Sequence, residues 1–230
     1  MAAIQVETPA GVEPVTLDDV KPFLRITISD DDDLLQNILM PAAREVVEAF
    51  LSRSLINKVF RQSFDSFPYY TDTVMSQLAY PPSYYALPRY STTLWNYSQM
   101  IKLLYSPLVK DSHLKISYIS SADGSSHDLH PDTDFIVDAD SEPPRIFPLA
   151  GQTWPSVLYV PNAVQIHYTA GYGTDGTNVP TLAKVGILQT VGSWYENRES
   201  VSPVDLRVIP GHVQDLLWSL RVLDLAPTRG

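Results

Sequence analysis

The spacing of hydrophobic residues predicts a long helix in the first quarter of the chain. From Leu35 to Phe50, apolar residues recur at steps of three and four, which is typical of one buried helical face over residues 31–52. Pro41 lies inside this segment and predicts a kink. The acidic run Asp30–Asp33 lacks the glycine and distal glutamate of a calcium loop, so it is interpreted as helix capping and solubility.

Two further helices are predicted in the last quarter. Pro180 suits a first helical position, and the stripe that follows it consists of Leu182, Val185, Leu188 with Ile187, Val191, and Trp194 with Tyr195. A last helix of about twelve residues is predicted from the period of Val213, Leu216, Leu217, Leu220 and Leu223. So short a helix is marginal alone, and we expect it to dock on another surface.

The N-terminal residues predict an extended arm followed by a short helix. Residues 1–15 contain proline and glycine without a hydrophobic period, which predicts an extended arm. Thr16 and Asp19 then have the spacing of a capping box, so a short helix is predicted to begin there. Pro22 removes one backbone hydrogen bond and predicts that this helix bends or ends near Leu24.

The middle of the chain predicts strands. Alternating or short apolar runs lie at 57–67, 100–105, 114–119, 125–129, 134–138, 145–147 and 163–169. The predicted fold class is therefore α+β, a helical bundle from N- and C-terminal helices with a central antiparallel β-rich portion. We expect one domain over 1–230, with helical parts at 16–54 and 180–224 and a β-rich part at 55–170.

Residues 68–99 interrupt the β-rich part. They hold seven tyrosines and four prolines without a clean period. One interpretation is a long loop whose rings cover its own sheet, and another is a surface that contacts a subunit, a partner or a sugar. If the segment is a contact surface, the candidate residues are Tyr84, Tyr85 and Trp95.

Composition narrows the function classes. The chain of 230 residues carries a net charge of −10, which argues against tight binding to a nucleic-acid backbone. It has no cysteine, so disulfides and thiolate metal sites are excluded. It also shows no apolar run of the length that a membrane span needs and no signal-peptide pattern, so no membrane partner is expected.

The sequence offers few candidates for catalytic or metal-binding residues. A metal site is conceivable at the cluster His127, Asp128, His130, Asp132 and Asp134, but two histidines three apart in a turn-rich region lack recognisable ligand spacing. The sequence shows neither a nucleophile elbow nor a glycine-rich phosphate loop. We therefore predict no enzyme, no catalytic residue, no metal and no cofactor.

The series of segments, taken in order, resembles one protein family. The series is PVTLDDVKPFLRI, DDDDLLQNILMPAAREVVEAFLSRSLI, LLYSPL, ISYISSADG, DFIVDADSEPPRIFPLAGQTWP, VQIHYTAGYG, VPTLAKVGILQTVGSWYENRE and VIPGHVQDLLWSLRV. It resembles the head-to-tail connector proteins of long-tailed phages and gene-transfer agents, also called adaptor or head-completion proteins. The similarity runs from about Pro14 to Val222, and the insertion 68–99 departs from it.

The resemblance implies a structural role. It implies a ring, usually dodecameric, between the portal protein and a tail-side connector or stopper protein, which completes the head after DNA packaging. DNA would pass through the channel without sequence-specific binding. The location would be the virion neck, with assembly in the host cytoplasm and a free protein that can be monomeric.

The resemblance also implies roles for particular residues. The C-terminal segment of such proteins engages the portal, which points to Leu216, Leu217, Trp218 and Arg221 as portal or subunit interface. Trp194 and Tyr195 would form a core hinge that holds the helical and β-rich layers together. The alternatives are a phage tail or surface module that binds a glycan or receptor through the tyrosine-rich insertion, and a metal-dependent hydrolase using the histidine cluster.

Overall fold

The computed structural model describes residues 3–68, 99–110, 114–197 and 209–222. Helices lie towards both ends of the chain and antiparallel sheets lie between them, so the expected α+β class is confirmed. Among the helices of these ranges, none is long and apolar enough to span a bilayer. The treatment of 1–230 as one domain stays a prediction.

Helix α1 (Leu17–Leu24) begins and ends where the sequence predicted. The backbone N–H of Asp19 donates to the Thr16 hydroxyl at 3.2 Å, and the Asp19 carboxylate accepts from the Thr16 N–H at 2.8 Å. These reciprocal bonds satisfy two donors that a helix start leaves unpaired. After Leu24, Arg25 takes a left-handed conformation with φ 58°, and its N–H caps the last turn.

Helix α2 (32–51) confirms the helix predicted over 31–52. Its consecutive parts are Asp32–Leu34, a π-helical turn Leu35–Leu39, and Met40–Leu51. The Met40 N–H donates to the carbonyl of Leu35, five residues back, directly before Pro41. Proline has no N–H to donate, so the kink predicted at Pro41 takes the form of one wider helical turn directly before it.

The described residues contain eight strands, joined in two antiparallel sheets. The strands are β1 (Ala3–Thr8), β2 (Lys58–Phe64), β3 (Ile101–Lys102), β4 (Lys115–Ile119), β5 (Ser126–Leu129), β6 (Phe135–Asp138), β7 (Arg145–Pro148) and β8 (Val164–Ala170). The larger sheet has the order β1-β2-β8-β4-β5, and the smaller has the order β3-β7-β6. The predicted strands therefore form, but they are shorter than predicted at 57–67 and at 100–105.

The N-terminal arm corrects one expectation. Within the extended arm predicted at 1–15, β1 is a paired edge strand that lies antiparallel to β2. Most β1 side chains are exposed on both faces, so the segment has no alternation from which a strand could be predicted. Val6 pairs with Phe60 and shares its core-facing side of the sheet, yet Val6 remains 51% exposed.

Helix α3 (Thr181–Glu196) follows Pro180 as predicted, and its buried face shares Ile187 and Val191 with the predicted stripe but is shifted towards smaller residues. Leu182 of the predicted stripe is 40% exposed, and the buried positions are Ala183, Gly186, Ile187, Thr190, Val191 and Gly192. Small residues let neighbouring helices approach closely. A Cβ added to Gly186 would lie 2.8 Å from Leu217 Cδ2, and one on Gly192 would lie 2.8 Å from Leu24 Cδ2.

The last helix is shorter than predicted. Helix α4 (Gly211–Leu217) continues into a single 3₁₀ turn, Trp218–Leu220. Val213 and Leu217 are buried against the other helices, as expected for a helix that needs a docking surface.

The hydrophobic core has two parts. The helical core joins apolar side chains of the four helices, among them Val20, Leu35, Val47, Ile187 and Leu217. The sheet core joins the inner faces of the two sheets, among them Phe60, Phe67, Ile116, Ile146, Trp154 and Tyr168. The contacts that join these two parts hold the helices against the sheets.

Candidate interaction surfaces

The four C-terminal candidate residues lie in different environments. Leu217 is fully buried in the helical core and Leu216 is half-buried. Trp218 is 55% exposed. The guanidinium carbon of Arg221 lies 5.1 Å from the ring centre of Phe50 and 5.2 Å from that of Trp218. Cation–π attraction holds this arrangement, which presents an aromatic ring and a cation on one surface.

Arg53 fastens the C-terminal segment to two other parts of the chain. Its guanidinium donates to both carboxylate oxygens of Glu142, in the connection between β6 and β7, and its Nε donates to the Leu220 carbonyl. The Val222 N–H donates to the Leu51 carbonyl at 2.9 Å. Burial opposes the charge of Arg53, but the hydrogen bonds that it donates to the Glu142 carboxylate raise its pKa above the ordinary value.

A second buried charge cluster joins α2 to β2. The Glu48 carboxylate accepts from Arg44 Nη1 at 2.9 Å, from the Leu55 N–H at 2.8 Å and from Lys58 Nζ. Arg44 Nε donates to Glu13 at 2.8 Å. Burial acts to lower the pKa of Arg44, yet Glu13 and Glu48 raise it above its ordinary value. Removing one member would leave a buried charge without compensation.

A close backbone contact joins the same two layers at the end of β8. Gly171 has φ 150°, and a Cβ there would lie 2.5 Å from the backbone nitrogen of Asn57. The Asn57 N–H donates to the carbonyl of Gly173 at 2.8 Å. Glycine is therefore required where the chain passes from the sheet towards the helices.

The predicted hinge residues lie against the helical core. Trp194 and Tyr195 are partly buried and pack on that cluster, and the Tyr195 hydroxyl donates to Asp31 Oδ2 at 2.6 Å. Asp31 stands at the N-cap position of α2 without a side-chain cap bond, so this residue of the acidic run does not cap the helix as expected. Asp32 accepts from Lys21 at 2.8 Å. The role of Trp194 and Tyr195 in joining the two layers stays a prediction.

The aromatic insertion begins and ends at the sheet core. Its candidate contact residues lie outside the described residues: Tyr84, Tyr85 and Trp95. The flanking Phe67 stacks on Trp154 with ring centres 4.8 Å apart, and Trp154 Nε1 donates to the carbonyl of Gln99 at 2.7 Å. Both ends of the insertion are therefore held by one buried tryptophan, while its predicted contact role stays a prediction.

The histidine cluster forms local turns. His127 Nε2 lies 2.9 Å from the Ser125 hydroxyl and 3.0 Å from Asp123, and the backbone N–H of His130 donates to Asp134 at 2.7 Å. Hydrogen bonds from Ser125 hold the pKa of Asp123 well below its usual range. Within the ranges that the structure describes, no three histidine or carboxylate side chains converge as metal ligands. The contacts of His127 stabilise the turn of the β4–β5 hairpin, and the bond of His130 lies in the connection between β5 and β6.

Comparisons with known proteins agree with the resemblance seen in the sequence. Residues 14–80 match the family model described as Phage gp6-like head-tail connector protein. This match confirms the resemblance to head-to-tail connectors over that part of the chain. No curated protein matches the chain.

The fold is similar to that of proteins in solved particle structures. A chain from "Neck of empty GTA particle computed with C6 symmetry" has a TM-score of 0.67 at 16% identity, covering 99% of this chain and 100% of that one. A chain from "Virion of native gene transfer agent (GTA) particle" has a TM-score of 0.66 at 16% identity and covers 97% of each. A chain from "Neck of native GTA particle computed with C12 symmetry" has a TM-score of 0.58 at 17% identity, covering 98% of this chain and 100% of that one. At such identity the likeness is one of fold.

Proposed function

We propose that this chain, whose residues 14–80 match the head-tail connector model, is a structural subunit of the neck of a phage or phage-like particle. The observation that carries the proposal is that match, combined with a fold shared over nearly the whole chain with proteins of gene-transfer-agent particles, two of them neck structures. Its role is to join head and tail without catalysis. It acts in the virion neck and is assembled into the particle in the host cytoplasm.

The subunits assemble as a ring. The similar neck structures were computed with C6 and C12 symmetry, which supports a cyclic arrangement and agrees with a dodecamer. In a cyclic ring each copy uses two different surfaces for its two neighbours, because the contacts are heterologous. Each subunit also needs a surface towards the head and one towards the tail.

The portal protein is the head-side partner, and a tail-side connector or stopper protein lies opposite. The C-terminal surface of Trp218 and Arg221 contacts the portal or a neighbouring subunit. Tryptophan and arginine are the residue types that most often contribute strongly to binding at protein interfaces. Trp218 is more than half exposed, and Arg221 is already oriented by two rings, so less side-chain freedom is lost on binding.

The ring surrounds the path of the DNA, and the completed neck retains the packaged genome. A net charge of −10 opposes adhesion of the phosphate backbone, so a channel of this composition lets DNA pass without sequence-specific binding. Replacing channel-facing acidic residues with lysine should slow ejection, and unchanged DNA retention and ejection would contradict this part of the proposal.

Electron microscopy of the purified protein tests the function. The expected result is a ring that stacks on the portal of the same particle when the two are mixed. A protein that neither forms rings nor binds portal would overturn the proposal. The double variant Trp218→Ala and Arg221→Ala should lose at least tenfold in portal or subunit binding, while Leu182→Ala, exposed on α3, should bind normally.

A further inference from the structure

An exposed aromatic residue stands at one end of the larger sheet. Tyr159 is 96% exposed and the neighbouring Leu158 is 38% exposed, at the tip of the loop formed by residues 156–162. The Leu158 N–H donates to the Ile119 carbonyl at 2.9 Å, and the Asn162 N–H donates to the Asp65 carboxylate at 3.0 Å. The loop backbone is thus held on both sides, which makes its tip a preorganised contact.

A cavity lies at the opposite end of the same strands. It has a volume of about 470 Å³ between the β1–β2 edge of the sheet and α2, and we call it the Val6 cavity. Its apolar walls include Val6, Ala49, Phe60 and Tyr105. Val6 lies on the core-facing side of the sheet but is half exposed. This part of an apolar sheet face therefore lacks a covering element within the described chain.

The Val6 cavity also has a built polar wall. Lys58 and Glu48 both line it. Lys58 has a side chain 9% exposed, and the hydrogen bonds of its ammonium group among the described residues go to Glu48. An ammonium group has three N–H donors, so Lys58 can donate to a further oxygen. Phe60 and Tyr105 stack with ring centres 4.5 Å apart. Walls of this kind suit an aromatic side chain that carries a hydroxyl group, as tyrosine does.

The cavity is large enough to admit one aromatic side chain together with a neighbouring apolar side chain. Cavities of roughly 300–1,000 Å³ hold groups of this kind or larger, and burying an aromatic side chain removes roughly 150–250 Å² from water. The tip formed by Leu158 and Tyr159 supplies that apolar surface, with a phenol oxygen that can accept from Lys58.

The loop and the cavity cannot meet within one copy. Lys58 and Phe60 line the cavity at the start of β2, whereas Asp65, directly after its end, holds the loop. The seven residues of β2 place these ends about 20 Å apart. Two different surfaces of one chain can join identical copies either reciprocally, in a two-fold dimer, or by a heterologous contact that repeats from copy to copy. The proposed ring requires the heterologous kind, in which each copy offers its loop to one neighbour and its cavity to the other.

From these observations we propose that Leu158 and Tyr159 of one copy insert into the Val6 cavity of the next. The inference rests on the proposed ring, because it identifies two surfaces through which neighbouring copies touch. The occupant is a second copy of this chain.

Photo-crosslinking tests the contact directly. Tyr159 is replaced by the photoreactive amino acid p-benzoylphenylalanine, and the protein is mixed at high concentration with an isotope-labelled copy before illumination. The expected product is a dimer in which residue 159 is joined to a labelled peptide from β1, β2 or α2 around the Val6 cavity. The same amino acid at Ile38, which is 57% exposed elsewhere, is the matched control.

A cavity-filling variant distinguishes this contact from non-specific association of the copies. Ala49→Trp places a ring in the cavity from an exposed position of α2 and should lower the yield of the Tyr159-derived crosslink at least tenfold. Leu182→Trp, on another exposed surface, should leave the yield unchanged. A yield no higher than the Ile38 control, or a crosslink to another surface, would overturn the inference. If electron microscopy shows rings but this crosslink does not form, the proposed contact is wrong and the proposed ring stands. If the crosslink forms but no rings are seen, the proposed ring is wrong.

Discussion

Replacing Gly186 and Leu217, alone and together, tests whether the C-terminal helix docks on α3 through this pair. Leu217→Ala removes a fully buried side chain and should lower the free energy of unfolding by about 2–5 kcal/mol, because the site cannot fully collapse. Gly186→Ala adds a Cβ 2.8 Å from Leu217 Cδ2 and 3.1 Å from its Cγ. Overpacking of this kind costs about 1–3 kcal/mol, and it is offset by about 1 kcal/mol of helix propensity.

The double variant gives the decisive value. Once Leu217 is alanine, the Gly186→Ala methyl group enters the space that the leucine left, so the clash disappears and the propensity gain of about 1 kcal/mol remains. Gly186→Ala should therefore change from neutral or destabilising to stabilising. The coupling between the two positions should be about 1–3 kcal/mol, which lies within the range of about 0.5–3 kcal/mol for residues in contact.

Urea unfolding followed by far-ultraviolet circular dichroism measures all four free energies of the cycle. Ile136→Ala, which is 44% exposed on β6, replaces Leu217→Ala in a control cycle and should be additive with Gly186→Ala within about 0.5 kcal/mol. Additive effects of Gly186→Ala and Leu217→Ala would refute the packing argument.

Three further substitutions test the contacts between the helices and the sheets and the loss of stability at low pH. Glu48→Ala removes the ion-pair partner of buried Lys58 and leaves Arg44 with Glu13 alone among its close partners, so it should cost about 3–5 kcal/mol in urea unfolding, whereas the exposed Glu45→Ala should stay within about 0.5 kcal/mol. Gly171→Ala forces a Cβ to 2.5 Å from backbone and should lower the midpoint of thermal unfolding, more than Gly11→Ala, which meets open space. Hydrogen bonds from Ser141 hold the pKa of Asp138 below its ordinary value of 3.8, so the stability it contributes is present above that pH and is lost as the pH falls through its folded pKa. Asp138→Asn should flatten the loss of stability in that acid range, and an unchanged acid slope would contradict this assignment.

Local features of the fold could be predicted from the sequence because they depend on neighbours along the chain. The Thr16–Asp19 capping box and the helix over 31–52 are of this kind, since spacing and side-chain type decide them. The wider turn before Pro41 follows from its missing N–H, although the sequence indicated only a kink.

Other features depend on tertiary packing and left little trace in the sequence. β1 has both faces largely exposed, so no alternation marks it as a strand. The buried face of α3 is built on Gly186 and Thr190, which contribute little to a hydrophobic pattern. Arg53 and Glu142 are 89 positions apart, and their pairing becomes visible only when the fold brings them together.

The site was predictable to a smaller extent than the fold. The order of segments pointed to the connector family, but the residue roles came with the resemblance, and Leu217 turned out to be fully buried in the helical core. Neither Tyr159 nor the Val6 cavity could be found from spacing, because a pocket depends on how β1 and α2 sit together.

The position of Arg53 has a mechanical consequence. A pull on residues 218–222 is resisted at the Leu220 carbonyl and at the Val222 N–H, and both bonds lead to the end of α2. Through Glu142 the same side chain passes part of the load to the smaller sheet. Tension applied to the C-terminal segment is thus shared between a helix and a sheet, so the segment withstands more force than a short helix held by apolar contacts alone.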